Sequence, residues 1–303
     1  MSHAYSLALV FSLTALTATL TACPAAALDN DPALRGFGTY VPGLGVTKDQ
    51  GGFEAFSREL GMAMAPVLMA PAETLGVNGF YVGLLEYSAT NIDESSSYWK
   101  KGTERTLAAS QAHALNPEGN PDAEAPDFLH TLRFRMRKGL PYSLEMGAQV
   151  TYLVDSELWA FGGEVKWALN EGVDALPVDF AIRGAASRTL GSTELDLTTV
   201  GVDLILGRGF GVGGQVNLAP YMAYNPVWIY ARSGVLDSTP GIDPELMGSG
   251  ADGEATFVLD SADQTLHRFV FGARVSTAAL NLTPEIVLAK GLQSYNVNLG
   301  LEF

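Results

Sequence analysis

The chain closes on SYNVNLGLEF, residues 294–303, in which Tyr295, Val297, Leu299, Leu301 and Phe303 alternate with Ser294, Asn296, Asn298, Gly300 and Glu302. A period of two makes one face of an extended segment apolar and the other polar. Working back from the end, the same alternation recurs. Leu280, Leu282, Pro284, Ile286 and Leu288 oppose Asn281, Thr283 and Glu285; Phe269, Phe271, Ala273 and Val275 oppose Arg268, Gly272, Arg274 and Ser276. Leu132, Phe134 and Met136 oppose Arg133, Arg135 and Arg137. Charges recur opposite lipid-like residues, as in a membrane barrel with a polar interior. A soluble sandwich patterns the same way with its faces exchanged, so periodicity alone leaves both open.

The closing strand resembles the last strand of bacterial outer-membrane β-barrel proteins, which ends the chain on Phe at this phase. The resemblance, carried by an export signal and strand pattern over about three quarters of the chain, identifies no subfamily. It implies a Gram-negative outer-membrane location, contact with outer-membrane lipids and recognition of the C-terminal strand by the barrel-assembly machinery.

Segment counting predicts ten strands, at about 76–91, 127–138, 142–154, 157–169, 177–190, 193–206, 211–223, 264–277, 279–290 and 293–303. These lengths exceed the ~5–6 residues usual in soluble sheets and match the ~9–11 that cross a bilayer at a tilt. The predicted fold is therefore all-β: a transmembrane antiparallel up-and-down barrel of about ten strands, residues 76–303. The long connections after strands one and seven fall on one side by parity, which assigns them to the exterior.

Composition narrows the class. There are 33 glycines in 303 residues, and charged residues are 17% against a usual ~25%. The 18 basic and 33 acidic residues give −15, which opposes nucleic-acid binding. One cysteine excludes a disulfide scaffold or multi-cysteine metal site, and no metal or cofactor is indicated. Residues 1–27 read as a signal peptide, with Ala25 to Ala27 suited to ordinary cleavage and Leu20-Thr21-Ala22-Cys23 similar to a lipobox that would acylate Cys23. Residues 28–75 form an N-terminal extension in which Phe53, Phe56, Leu60 and Met64 share helical spacing before Pro66 and Pro71, predicting a helix over 52–64. Because strand one starts in the periplasm, the helix is expected at or inside the periplasmic mouth. An extra strand within 34–47 would instead require twelve strands.

Register predictions follow. A two-residue turn at Asp155-Ser156 pairs Tyr152 with Trp159 and Val150 with Phe161, and a turn centred on Leu140 sets Arg135 opposite Glu145. Strand six changes apolar phase, predicting a bulge near Thr199 to Gly201. Even spacings place Trp159 with Trp167, Tyr295 with Phe303, and Tyr142 with Tyr152 as aromatic girdles.

The predicted lumen carries Arg133, Arg135, Arg137, Lys166, Arg183, Arg268 and Arg274 against Glu86, Glu145, Glu164, Asp179, Asp196, Asp203, Glu285 and Glu302. Near-cancelling charge suits ion pairs that hold a narrow barrel closed; the alternative is a basic Arg133-Arg135-Arg137 ladder open to an anionic headgroup. Residues 93–127 hold seven acids and three bases, and 231–263 seven acids and one base. Solvation accounts for such carboxylates, and no calcium-loop spacing appears. His113, His130 and His267 offer little to an enzyme, no catalytic residue being assigned, although lipid hydrolysis on an outward His stays open. Asp263 with His267 is the nearest approach to a catalytic pair. The leading expectation is a narrow passive channel or transporter for small or amphipathic solutes, gated periplasmically by the helix; the alternatives are a non-conducting structural or surface-interaction barrel and a lipid-modifying enzyme.

Overall fold

The computed structural model describes residues 28–41, 44–169, 177–239 and 255–303. The expected signal peptide with Cys23, the expected 170–176 turn and part of the second acidic stretch lie outside them. The described residues close a ten-stranded barrel: β1 (Phe80–Asn91), β2 (Phe128–Leu140), β3 (Leu144–Leu153), β4 (Trp159–Ala168), β5 (Asp179–Leu190), β6 (Leu195–Gly207), β7 (Val216–Ser233), β8 (Ala262–Thr277), β9 (Leu280–Ala289) and β10 (Leu292–Glu302). Each strand pairs antiparallel with its sequence neighbour, and β10 returns to β1, so the ten-stranded wall closes on itself. No helix among the described residues is long and apolar enough to cross a membrane.

The wall resolves the choice between barrel and sandwich. Phe134, Phe161, Trp167, Phe269, Phe271 and Leu282 are exposed on the outside, while Arg135, Arg183, Glu86 and Asp203 are buried within. The polar face is the interior one, the reverse of a soluble core.

Tyr152 pairs with Trp159 and Val150 with Phe161, with Asp155 in a left-handed conformation at the turn. The β2–β3 turn differs from expectation. It centres on Tyr142, so Arg135 opposes Gln149 and Glu145 opposes Gly139. Pro141 has no N–H to extend the ladder beyond Leu140, and Tyr142 and Ser143 take φ of 65° and 56° to reverse the chain.

Strand β6 has no bulge: its register with β5 and β7 is constant throughout. Leu195 and Leu197 face inward, where they join the apolar core at one barrel end, while Val202, Leu204 and Leu206 face outward. Asp196 consequently lies outside, paired with Arg188 at 2.6 Å, and not in the lumen. The bulge falls in β1, between Gly83 and Glu86, where Leu84 and Leu85 both face outward. It lets Tyr81 and Glu86 both point inward despite their odd separation. Strand β7 runs ten residues beyond its predicted end at 223, through Tyr224, Trp228 and Tyr230, because β6 and β8 offer partners along that whole length.

The connections sort by end. The long ones, 92–127 and 234–261, share the loop end with shorter ones at 154–158, 191–194 and 290–291; the other, turn end carries 141–143, 169–178, 208–215 and 278–279.

Helix α1 (Gln50–Met64) starts where the Asp49 side chain accepts the Gly52 N–H and stops at Ala65, held extended before Pro66. It lies at the loop end: Gln264 donates to the Glu54 carbonyl, Arg58 to the Lys290 carbonyl, and Asp93 N–H to Glu59. This corrects the expected periplasmic position. Parity fixes where β1 begins but not where the chain comes from. Residues 65–79, at ~3.3 Å each when extended, reach ~50 Å and carry the chain back through the lumen. Residues Gly38–Val41 and Gly45–Lys48 pair only with each other, as a hairpin outside the barrel wall, so the twelve-strand alternative does not hold.

Candidate functional site in the lumen

Within the barrel, residues 63–73 form no ladder with the wall. Pro66 and Pro71 lack N–H groups, and the intervening Val67, Leu68, Met69 and Ala70 have no polar side chain to meet the charged lumen. The carbonyls of this strap are met instead by wall cations. Arg133 donates to Ala63 at 2.8 Å and Arg268 to Pro66 at 2.9 Å. Arg135 reaches Val67 and Leu68, Arg183 Val67, and Arg137 Leu68, each at 2.9 Å, while Lys166 reaches Glu73 at 2.8 Å. Wall carboxylates take two strap N–H groups: Glu285 accepts from Met69 at 2.7 Å and Glu145 from Leu75 at 3.2 Å.

The cations are also neutralised along the wall. Arg135 pairs with Glu86 at 2.8 Å, Arg137 with Glu164 at 2.8 Å, Arg183 with both Glu164 and Asp203 at 2.7 Å, and Lys166 with Glu145 at 3.2 Å. Arginine suits this work because one planar fork can serve a carboxylate and a carbonyl together. Arg133, Arg135 and Arg137 are buried and engaged, so they do not form a ladder open to a headgroup. Asp179 is half-buried at the turn end of β5, and Arg274 pairs with Glu302 at 3.3 Å at the same end of the lumen.

The strap leaves the lumen close to β2. Gly139 N–H donates to Gly79, and a β-carbon at Gly139 would lie 1.8 Å from the Gly76 carbonyl oxygen. Backbone on both sides cannot yield cheaply. Gly139→Val should therefore lower stability by about 1–3 kcal/mol and loosen residues 74–79, read as faster hydrogen exchange there than in the parent.

At the loop end the strap continues into a packed head. Phe37, Phe53, Phe56 and Trp99 form its aromatic centre, with Phe56 and Trp99 centroids 4.6 Å apart. Buried Glu59 accepts from Asp93 N–H, the Tyr98 hydroxyl and Trp99 Nε1 at 3.0, 2.7 and 2.6 Å. Burial and Glu59 push the Tyr98 hydroxyl up to about 12. Lys101 holds the Asp49 carboxyl below its ordinary range, and Arg35 forks onto Glu104 and reaches Glu194 at 3.1 Å. Glu59→Ala should leave the buried Trp99 donor unpaired at a cost of about 1–3 kcal/mol. Faster hydrogen exchange across 92–103, with 280–302 unchanged, would be its signature.

The predicted girdle residues separate. Trp159, Trp167, Tyr295 and Phe303 are exposed on the outside, and Tyr152 packs against Trp159 with tilted rings, centroids 4.6 Å apart. Tyr142 is 89% exposed but sits in the β2–β3 turn, where strand parity no longer applies. His113 bonds the Asn120 carbonyl at the loop end. His130 and His267 lie on the outer wall, each with Nδ1 2.7 Å from a neighbouring hydroxyl, of Tyr87 and Tyr224.

Sequence reasoning missed the role of Glu59 and the lumen bonds of Tyr81, which donates to Asn298, Tyr221, which donates to Glu285, and Asn225, which accepts from Arg268, and it missed that the lumen cations address main-chain oxygens. One signal was present: a run without polar side chains between two prolines, in a chain whose lumen is charged, has only its carbonyls to offer.

A closed, even-stranded antiparallel cylinder with an apolar outside, exposed aromatics toward its ends and a charged inside defines an outer-membrane β-barrel. In this class the short turns are periplasmic and the longer loops extracellular. No family model matches the chain, and no curated protein matches it. Solved structures similar to it include Ail, the attachment invasion locus protein of Yersinia pestis, at 9% identity over 75% of this chain and 99% of that one, TM-score 0.30. The KdgM porin is similar at 8% identity over 72% of this chain and 98% of that one, TM-score 0.28. The class rests on the barrel's own polarity.

Proposed function

We propose that this protein is a non-conducting outer-membrane barrel that threads its own N-terminal segment through the lumen and presents the head at the cell surface for interaction. The carrying observation is the strap: its carbonyls from Ala63 to Glu73 are held by six wall cations that are themselves ion-paired or hydrogen-bonded to wall side chains. An aqueous path along this wall would require those bonds to open together. Planar bilayers containing the full chain should show no stable conductance steps; reproducible steps from the unmodified protein would overturn the proposal.

A second reading, a gated channel for small solutes, is favoured by one observation: a polar vestibule of about 740 Å³ opens at the turn end beside the strap. It predicts that weakening the strap, as in Arg133→Met, produces conductance steps that the parent lacks. Silence of both proteins would leave the non-conducting reading standing alone.

A further inference from the structure

The vestibule exists because the strap lies against one wall. Toward the turn end its contacts run to Glu145, Lys166 and Gly139 on β2 to β4 and to Gly209 after β6, and the inward faces of β7 to β10 line the open space there. Its volume of about 740 Å³ falls within the range of small-molecule sites, ~300–1,000 Å³.

Its chemistry is mixed in a particular way. The Arg274 side chain is only 9% exposed and lies over the Tyr81 ring, 5.8 Å from its centroid; one terminal nitrogen donates to Glu302 at 3.3 Å, and Nε is buried without a hydrogen-bond partner. Carboxylates bind an arginine fork through two parallel bonds. Glu302 is 35% exposed beside it and can meet a cation. Asn78, Gln215, Asn217 and Ser276 line the space. An amide side chain both donates and accepts, the complement of a peptide group. Leu75, Val77 and the inward Ala219 supply apolar wall. A fork for a carboxylate, a carboxylate for an ammonium, amides for a backbone and apolar surface for side chains together describe one ligand class.

We propose that this vestibule binds short zwitterionic peptides from the periplasm, with the α-carboxylate on Arg274, the α-ammonium on Glu302 and the backbone on Asn217 and its polar neighbours. It goes beyond the display reading and does not depend on it.

The test uses the full chain in detergent with trialanine, and N-acetyl-trialaninamide as the uncharged counterpart, titrated by calorimetry. One trialanine should bind, with the capped peptide at least about tenfold weaker, since each lost charged contact is worth ~1.5 kcal/mol or more. Arg274→Gln should weaken trialanine by about tenfold. Asn217→Leu leaves the Arg274–Glu302 pair in place but fills the cavity, and should weaken both peptides. Arg188→Gln, on the outer wall, should change neither. Retained gel mobility of the unheated barrel shows that each variant has folded. Equal binding of the two peptides, no binding of either, or indifference to both vestibule substitutions would overturn the assignment. Conductance in bilayers is a separate readout, so this failure is distinguishable from failure of the closed-barrel proposal.

Discussion

Replacing Arg135 by Met should cost about 3–5 kcal/mol of folding stability, the largest effect expected from any single lumen change. Arg135 is fully buried and donates to Val67, Leu68 and Glu86 at once. Its loss strands the Glu86 carboxylate in the interior and leaves two strap carbonyls without that donor. Glu86 retains Asn298 at 3.2 Å and Arg133 at 3.7 Å, too little to compensate. Lysine at 135 should recover only part of the loss, because a single ammonium cannot span the three acceptors. Urea unfolding in detergent, followed by the shift between folded and unfolded gel mobility, measures this. Combining Arg135→Met with Glu86→Gln should cost less than the sum of the two, with a coupling of ~0.5–3 kcal/mol. Additivity would show that the pair is not a unit.

Surface labelling should give an all-or-none result. Leu44 is 86% exposed in the hairpin at the loop end, and Val77 is exposed at the turn end where the strap leaves the lumen. A membrane-impermeant maleimide applied to intact cells should label Leu44→Cys fully and Val77→Cys not at all, with the parent chain giving the Cys23 background. After disruption of the outer membrane both should react. The two positions lie only 33 residues apart in the chain, so labels on opposite sides require the intervening segment to cross the membrane inside the barrel. Labelling of Val77→Cys but not Leu44→Cys on intact cells would invert the topology and remove surface display of the head.

The chain's alternation made much of the wall legible. Tyr295 to Phe303, Phe269 with Phe271, and the Arg133-Arg135-Arg137 series each had a neighbour of the same phase, so their faces could be assigned together. The Asp155 turn was readable because both flanking strands kept phase across it. The Leu140 turn was misplaced because Tyr142 takes a left-handed conformation that residue identity does not announce. Strand six was misread for a different reason. Leu195 and Leu197 look lipid-facing, yet they face inward because an apolar head occupies that end of the barrel.

A two-residue period thus defines a membrane cylinder with a charged interior, since it is a property of local pattern. The ends of β7, the bulge in β1, the location of α1 and the engagement of every lumen cation depend on what lies beside each residue after closure. The path of residues 65–79 through the lumen is the deciding case. Its backbone has no local preference for that route; it is held there by oxygens meeting cations up to about two hundred residues away, and only the closed barrel brings those partners together.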